Sequence, residues 1–194
     1  TKALAQRFCK FRKRQMESLD EMISKLSGMP KSRLAKLAAG TLKGAPEKWI
    51  PSPGPQTEAY FSKADVLLYG GEPGGGKTQL ILGLAYNCHQ RSLIMRRKYN
   101  ALGRIIDDLL KIHGSRDGYN GSPPPRLRLQ NDRVIKLGAA EKVGDEQALM
   151  GDGFDFLGID EATHLVEMQV RFVMGWMRSE NPKQRKRAVF ATNP

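Results

Sequence analysis

The feature that most constrains the fold is a glycine-rich segment between two apolar runs. Residues 66–69 read Val-Leu-Leu-Tyr, residues 70–78 read Gly-Gly-Glu-Pro-Gly-Gly-Gly-Lys-Thr, and residues 80–85 read Leu-Ile-Leu-Gly-Leu-Ala. A short apolar run that ends at glycines predicts a strand, and the apolar run after Lys-Thr predicts a helix. The segment 71–78 matches the phosphate-binding pattern G-x-x-x-x-G-K-[ST] without a gap. The sequence therefore predicts a strand, a phosphate-binding loop and a helix in succession.

Each residue type in this loop has a physical reason to be there. The loop glycines are Gly71, Gly74, Gly75 and Gly76. Glycine accepts backbone angles that turn consecutive N–H groups toward a polyphosphate, and the helix start adds free N–H groups and the positive end of its dipole. We expect Lys77 to reach the β- and γ-phosphates of a nucleotide, and the Thr78 hydroxyl to ligate Mg²⁺. The alternative is a glycine-rich turn without a ligand, which the complete pattern in its strand-to-helix context disfavours.

A second motif is a mostly apolar run that ends in two acids. Residues 154–161 read Phe-Asp-Phe-Leu-Gly-Ile-Asp-Glu. A buried parallel strand has a near-continuous apolar sequence, and only its exposed tip tolerates charge. Asp160 is expected to hold Mg²⁺, directly or through water, and Glu161 to polarise an attacking water as general base. Alone, the pair could be a solvated helix start, but beside a phosphate loop it predicts phosphoryl transfer to water.

A third motif is Ala191-Thr192-Asn193-Pro194, which follows a predicted strand at residues 188–192. Thr192 is expected at the carboxyl end of that strand, where it is placed to sense the γ-phosphate between the glycine loop and the acidic pair. The alternative is a simple turn, because Asn-Pro favours one.

Positive charge is distributed unevenly along the 194 residues. Residues 1–43 hold 11 Lys/Arg against 3 Asp/Glu and so carry +8 of the net charge of +12. They are predicted to be a basic helical arm, which either binds DNA or a partner or packs its apolar stripe on the main domain. Residues 44–55 contain four prolines and are predicted to be a linker. Residues 56–194 then form the nucleotide domain.

The rest of the chain predicts an α/β domain without a membrane segment. Strands are expected at 92–95 and in a hairpin at 126–137, and helices at 100–113 and 163–178. The cluster Arg96-Arg97-Lys98 at a strand end either approaches phosphate or DNA or is simply solvated. Cys9 and Cys88 form no disulfide framework or metal-ligand spacing and fit a reducing cytosol. No apolar run approaches the ~20 residues that a membrane helix needs.

Taken together, these motifs resemble the large, ATP-driving subunit of tailed-phage terminases, the DNA-packaging motors. The resemblance spans residues 56–194 and includes Pro55-Gln56, Leu68–Gly71, Gly74–Thr78, Ile94–Arg97, Gly151–Asp155, Gly158–Glu161 and Ala191–Pro194. It implies a P-loop NTPase fold of the RecA-like, additional-strand, catalytic-glutamate type, with a mostly parallel central sheet. It also implies hydrolysis of ATP with Mg²⁺, an adenine contact at Gln56 (or a plain polar loop residue there), a catalytic role for Lys77, Asp160 and Glu161, and a coupling role for Thr192-Asn193.

The resemblance implies partners and a compartment as well. Such motors work as homo-oligomeric rings on a portal protein, bind double-stranded DNA, receive it from a small terminase subunit, and act in the host bacterial cytosol, away from membranes. Many relatives carry an arginine finger near residues 149–152, but this sequence has Leu-Met-Gly-Asp there. Arg96, Arg97, Arg126 and Arg128 remain as candidates for the finger. Because no nuclease motifs follow residue 194, we expect no nuclease activity from this chain.

Two other functions remain open at this point. Asp160–His164 and Ala191-Thr192 are similar to motifs of superfamily-two helicases, although the inserted Thr163 departs from their acid-acid-Ala-His order. A helicase also needs a second RecA-like domain. The other alternative is a basic module that binds nucleotide or DNA without turnover. Four intact residues argue against it: Lys77, Thr78, Asp160 and Glu161.

Overall fold

A computed structural model describes residues 48–149, 151 and 153–193 of the chain. The predicted basic arm, residues 44–47 of the predicted linker, Met150, Asp152 and Pro194 lie outside the described residues. The four described α-helices are α1 (Pro55–Phe61), α2 (Lys77–Cys88), α3 (Leu102–His113) and α4 (Glu167–Met174). The strands are β1 (Val66–Gly70), β2 (Arg91–Arg96), β3 (Tyr119–Asn120), β4 (Arg126–Arg128), β5 (Val134–Ala139), β6 (Phe156–Ile159) and β7 (Arg187–Thr192). None of these helices is long and apolar enough to cross a bilayer.

The seven strands form one mixed sheet in the order β1-β7-β6-β2-β5-β4-β3. Strands β1, β7, β6, β2 and β5 are parallel, and β4 and β3 continue the sheet antiparallel. Strand β7 lies between β1, which precedes the glycine loop, and β6, which carries the acidic pair. The predicted α/β fold with an additional strand between these two is therefore confirmed.

The core has two layers because alternate residues of a strand point to opposite faces of the sheet. Ile94 and Phe156 pack in the cluster formed with α2 and α3, whereas Met95 and Leu157 pack with Val173 of α4 on the other face. Strand β6 is buried along its whole length, as its apolar sequence predicts. The central strands are therefore held from both sides, and their carboxyl ends are fixed relative to one another.

The predicted hairpin at 126–137 is present as β4 and β5, with Arg126 opposite Lys136 and Arg128 opposite Val134. Its turn contains Asn131 and Asp132, which both have positive φ, 59° and 57°. Asn and Asp tolerate this left-handed conformation better than other side chains, which explains the turn at this sequence. The stretch before it contributes the short strand β3.

The predicted helix at 163–178 is wrong in its extent. The structure has a 3₁₀ turn at Ala162–His164, then Leu165 and Val166 in extended backbone, and only then α4. After α4 the chain leaves the helix, and Met177 forms a parallel bridge with Phe154. The apolar residues of this stretch therefore belong to a 3₁₀ turn, to α4 and to a β-bridge instead of to one face of a single long helix.

Trp49 packs on the domain although it precedes the predicted domain start at Gln56. Its ring stands beside Tyr60 at 5.7 Å between centroids, and Asn87 Nδ2 of α2 donates to its carbonyl oxygen at 2.8 Å. The ring occupies the space above Gly83, where a Cβ would collide with it. The boundary at Gln56 stays a prediction, and residues 48–54 have no helix or strand.

Candidate active site

The carboxyl ends of β1, β7, β6 and β2 meet at one edge of the sheet, where α/β proteins of this kind bind ligands. A pocket of about 300 Å³ opens there between the glycine loop and the acidic pair. It is lined by the predicted site residues Gly74, Gly75, Gly76, Lys77, Thr78, Asp160, Glu161 and Thr192. Gln56 and Gly71 are the predicted site residues that do not line it. The volume is at the small end for ligand pockets and suits a polyphosphate chain.

The glycine loop has the backbone that its sequence predicts. Gly74 and Gly76 have φ of 89° and 68°, a region that side chains resist, and Gly76 caps the N-terminus of α2. Lys77 Nζ donates to the carbonyl oxygens of Gly71 and Glu72 at 2.8 and 2.6 Å. The lysine amine is thus held directly over the loop, on the pocket side.

Thr78 and Asp160 come together although they are far apart in sequence. The Thr78 hydroxyl donates to Asp160 Oδ2 at 3.1 Å, and Asp160 is only 4% exposed. Burial raises the pKa of Asp160 above its ordinary value, while the nearby Arg96 guanidinium and the Thr78 hydrogen bond oppose that shift. The charged form of a buried carboxylate is stabilised by a cation beside it.

These two side chains fit a magnesium ion. Their oxygens are of the kind that Mg²⁺ prefers, and the ion typically takes only one or two protein ligands beside phosphate and water. The described residues contain no cluster of three or more acidic, histidine or cysteine side chains that would form a complete cage. The donor set therefore suits an ion shared with a bound phosphate.

Glu161 occupies an unusual position directly after Asp160. Its φ of 56° is a left-handed conformation that costs a non-glycine residue of order 1–3 kcal/mol and that often marks functional sites. Arg96 Nε donates to Glu161 Oε2 at 3.1 Å, and Arg96 Nη2 donates to Oε1. His164 Nδ1 lies 3.3 Å from Oε2. The candidate general base is thus held by the strand-end arginine of β2.

Gln56 lies under the loop instead of in the pocket. It is 6% exposed, and its Nε2 donates to the Gly76 carbonyl at 2.8 Å. A Cβ on Gly76 would collide with this amide. Gln56 therefore braces the start of α2, and its role as an adenine contact stays a prediction.

Thr192 ends β7 between the two motifs. Its backbone pairs with Gly70 of β1, and its hydroxyl donates to the Asn193 carbonyl at 2.8 Å and lies within hydrogen-bond distance of the Thr163 hydroxyl, at 3.2 Å between oxygens. Thr163 belongs to the 3₁₀ turn that follows Glu161. The strand end is thereby joined to the turn that presents the candidate base.

The candidate arginine fingers lie in three different environments. Arg96 is paired with Glu161 in the pocket of the same chain. Arg97 is exposed nearby, and its Nη1 donates to the His164 carbonyl at 3.1 Å. Arg126 and Arg128 are exposed on β4, away from the pocket. The assignment of a finger stays a prediction.

Arg104 and Asp108 of α3 also line the pocket, and the sequence analysis missed them. Helix α3 follows the carboxyl end of β2, so its first two turns lie beside the crevice. Polar residues in the turns that follow such a strand are a signal that the amphipathic pattern alone does not give.

A larger cavity, of about 660 Å³, lies where β2 and β5 begin, at the opposite edge of the sheet. It contains neither the glycine loop nor paired carboxylates. The smaller pocket is therefore the candidate active site.

The strand order, with β7 between β1 and β6, and the pocket at the glycine loop are those of a P-loop NTPase fold with an additional strand. Similar solved structures are phage large terminases. The large terminase of a thermophilic bacteriophage superposes with a TM-score of 0.54 at 15% identity, covering 72% of this chain and 38% of that protein. The HK97 bacteriophage large terminase gives a TM-score of 0.52 at 14% identity, covering 73% and 33%.

At these identities the similarity extends to the fold alone, and this chain spans less than two fifths of the length of either protein. No protein-family model matches the chain, and no curated protein does either.

Proposed function

We propose that this chain contains the ATPase domain of a terminase-type motor, which hydrolyses ATP to move double-stranded DNA into a procapsid. The observation that carries the proposal is the hydrogen bond from Thr78 to Asp160, with Lys77 and Glu161 lining the same pocket. It joins the glycine loop to the acidic strand. The fold similarity to phage large terminases supports the motor assignment.

In this proposal the chain's own residues bind and orient the triphosphate. Loop N–H groups and the α2 N-terminus hold the β- and γ-phosphates, and Lys77 exchanges its loop carbonyls for phosphate oxygens. Thr78 and Asp160 hold Mg²⁺, which when bound neutralises charge on the phosphates. Glu161 accepts a hydrogen bond from the attacking water and orients it toward the γ-phosphate.

The remaining components of the proposal are Thr192, the ring and its partners. Thr192 lies at the end of β7 and is proposed to respond to the γ-phosphate. Homo-oligomeric ring assembly, the portal protein, the small terminase subunit and the host cytosol are proposed from the resemblance of the motifs. An arginine finger from a neighbouring subunit is worth about 10³–10⁵ in rate, so we expect slow hydrolysis from the isolated chain.

The first experiment measures ATP binding and phosphate release for wild type, Lys77→Ala and Glu161→Gln. We expect Lys77→Ala to weaken binding of a fluorescent ATP analogue. Glu161→Gln should bind that analogue like wild type but release no phosphate. Lys63→Ala removes an exposed lysine outside the pocket and is the matched control. Undiminished turnover in Glu161→Gln would remove that residue from its proposed role.

The second experiment separates the motor from its rivals. Wild-type protein is assembled with DNA and portal-bearing procapsids, and protection of DNA from nuclease is measured. Separation of a labelled duplex without packaging would favour the helicase. Hydrolysis no higher than that of Glu161→Gln in the full assembly would favour a module that only binds.

A further inference from the structure

The larger cavity has a strongly basic lining. We call the side chains that give it this charge the basic face: Arg91, Arg126, Arg128, Arg133 and Lys136. Asp132 is the one carboxylate among the described residues that line the cavity. The cavity lies where β2 and β5 begin, so it is separated from the candidate active site by the length of the sheet.

Strand alternation places Arg126, Arg128 and Lys136 on one side of the sheet. Leu127 and Ile135 belong to the core cluster formed with α2 and α3. Their neighbours Arg126, Arg128 and Lys136 therefore point to the other face. The register sets Arg126 directly opposite Lys136.

The cations differ in what already binds them. Arg133 donates through Nε to the His89 carbonyl at 2.9 Å, and its other contacts also go to carbonyl oxygens at the end of α2. Arg91, Arg126 and Arg128 are exposed, and in the described part of the chain their guanidinium groups make no hydrogen bond or ion pair. Three guanidinium groups are thus open to an anion.

The arrangement fits an extended anion better than a single phosphate. Arg126 and Arg128 are two residues apart on a strand, which separates them by about 6.8 Å, and Arg91 lies two strands away. Phe154, the aromatic side chain in the cavity lining, is 5% exposed. The described lining therefore offers no stacking platform of the kind that binds single strands.

We propose that the basic face binds the sugar–phosphate backbone of duplex DNA. Each guanidinium can hold a phosphate through two parallel hydrogen bonds, and separate arginines reach separate phosphates. The proposal rests on the proposed function, because it locates a contact to the DNA that the motor moves. It assigns Arg126 and Arg128 to DNA instead of to a neighbour's nucleotide.

The test is the salt dependence of DNA binding. Full-length protein without nucleotide is titrated into a fluorescein-labelled duplex of mixed sequence, and anisotropy is followed over a range of salt concentrations. Log affinity falls with log salt, and each lost phosphate contact makes this slope shallower by about 0.9. Arg126→Gln/Arg128→Gln should therefore reduce the magnitude of the slope by about 2. Arg126→Lys/Arg128→Lys keeps both charges and should keep most of the slope.

Lys63→Gln/Lys183→Gln is the matched control, because it removes two exposed charges in the loops before β1 and β7, which lie at the end of the strand order away from β4. It should leave the slope unchanged. Circular dichroism checks that each variant is folded, and the basic arm is present in all of them. The proposal is overturned by an unchanged slope in the Arg126/Arg128 glutamine variant or by an equal loss in the control.

Competition distinguishes DNA from a simple phosphate ligand. Inorganic phosphate at the same phosphate concentration should not displace the duplex, and displacement would overturn the proposal. An acidic protein as the true partner would leave duplex binding intact in the glutamine variant. The DNA assay contains no nucleotide, and hydrolysis by wild type is measured without DNA. A failure of the proposed ATPase function is therefore distinguishable from a failure of this inference.

Discussion

The ion pair between Arg96 and Glu161 should couple the stability of two strand ends. The perturbation is a double-mutant cycle that comprises wild type, Arg96→Gln, Glu161→Gln and the double variant. Each substitution removes a charge and keeps a polar side chain. Because β2 and β6 are adjacent and parallel, the pair joins two strand ends, and its energy measures how firmly the candidate base is held.

The expected coupling energy follows from burial. Arg96 and Glu161 side chains are 17% and 32% exposed. Exposed pairs contribute about 0–1 kcal/mol, whereas breaking a buried pair costs about 3–5 kcal/mol. Two charge-assisted hydrogen bonds between partly buried side chains, discounted for solvent screening, give an expected coupling of about 1–2 kcal/mol.

The assay is urea unfolding of the four proteins in chelator and without nucleotide. Arg97→Gln combined with Glu161→Gln is the control cycle, since Arg97 is the exposed neighbour and bonds a carbonyl instead of the carboxylate. We expect that cycle to be additive. Additivity within about 0.3–0.5 kcal/mol in the Arg96 cycle as well would refute the view that Arg96 holds Glu161.

Four further predictions concern the loop, the metal position and the phosphate pocket. Gly76→Ala should lower the free energy of unfolding in urea by at least about 1–2 kcal/mol, because φ at this residue is +68°. Adding Gln56→Ala should relieve only the collision between the new Cβ and the Gln56 amide. Full recovery of stability in the double variant would contradict the backbone strain. Asp160→Asn should raise Tm in chelator at pH 7. Burial raises the pKa of Asp160 in the folded state, so its charged form lowers the stability of the domain at pH 7. The gain in Tm from the asparagine should therefore vanish as the pH falls toward 3.8, the ordinary pKa of the group, and a gain that stays constant with pH would contradict the assignment. Arg104→Ala should weaken ATP binding about tenfold in calorimetry while Tm stays constant, and unchanged affinity would exclude a phosphate contact. Thr192→Val should lower Tm by the equivalent of about 0.5–1.5 kcal/mol and reduce kcat more than ATP affinity, whereas wild-type kcat would remove Thr192 from the site.

The sequence predicted those parts of the site that are encoded in contiguous residues. The glycine loop is local, because the backbone angles at Gly74 and Gly76 and the helix start at Lys77 are set by neighbouring residues. The acidic pair after β6 was predictable because only a strand tip tolerates charge after so apolar a run. The position of β7 between β1 and β6 came from the resemblance and is confirmed.

The contacts between distant segments were not predictable from a single sequence. Arg96 and Glu161 meet because β2 and β6 are neighbours in the sheet, and no local pattern states that pairing. The helix at 163–178 was predicted too long because apolar spacing cannot show that Val166 adopts extended backbone. The packing of Gln56 under Gly76 was not predicted, because it depends on how α1 meets the loop.

The hydroxyl contact between Thr192 and Thr163 has a consequence for how this domain responds to force. If bound nucleotide changes the turn after Glu161 and thereby shifts the end of β7, thermodynamic reciprocity requires that tension on the chain after Asn193 changes nucleotide affinity by the same factor. A single hydroxyl hydrogen bond contributes about 0.5–1.5 kcal/mol, which limits this direct effect to about two- to twelvefold. The ATP affinity of such a domain would then depend on mechanical load.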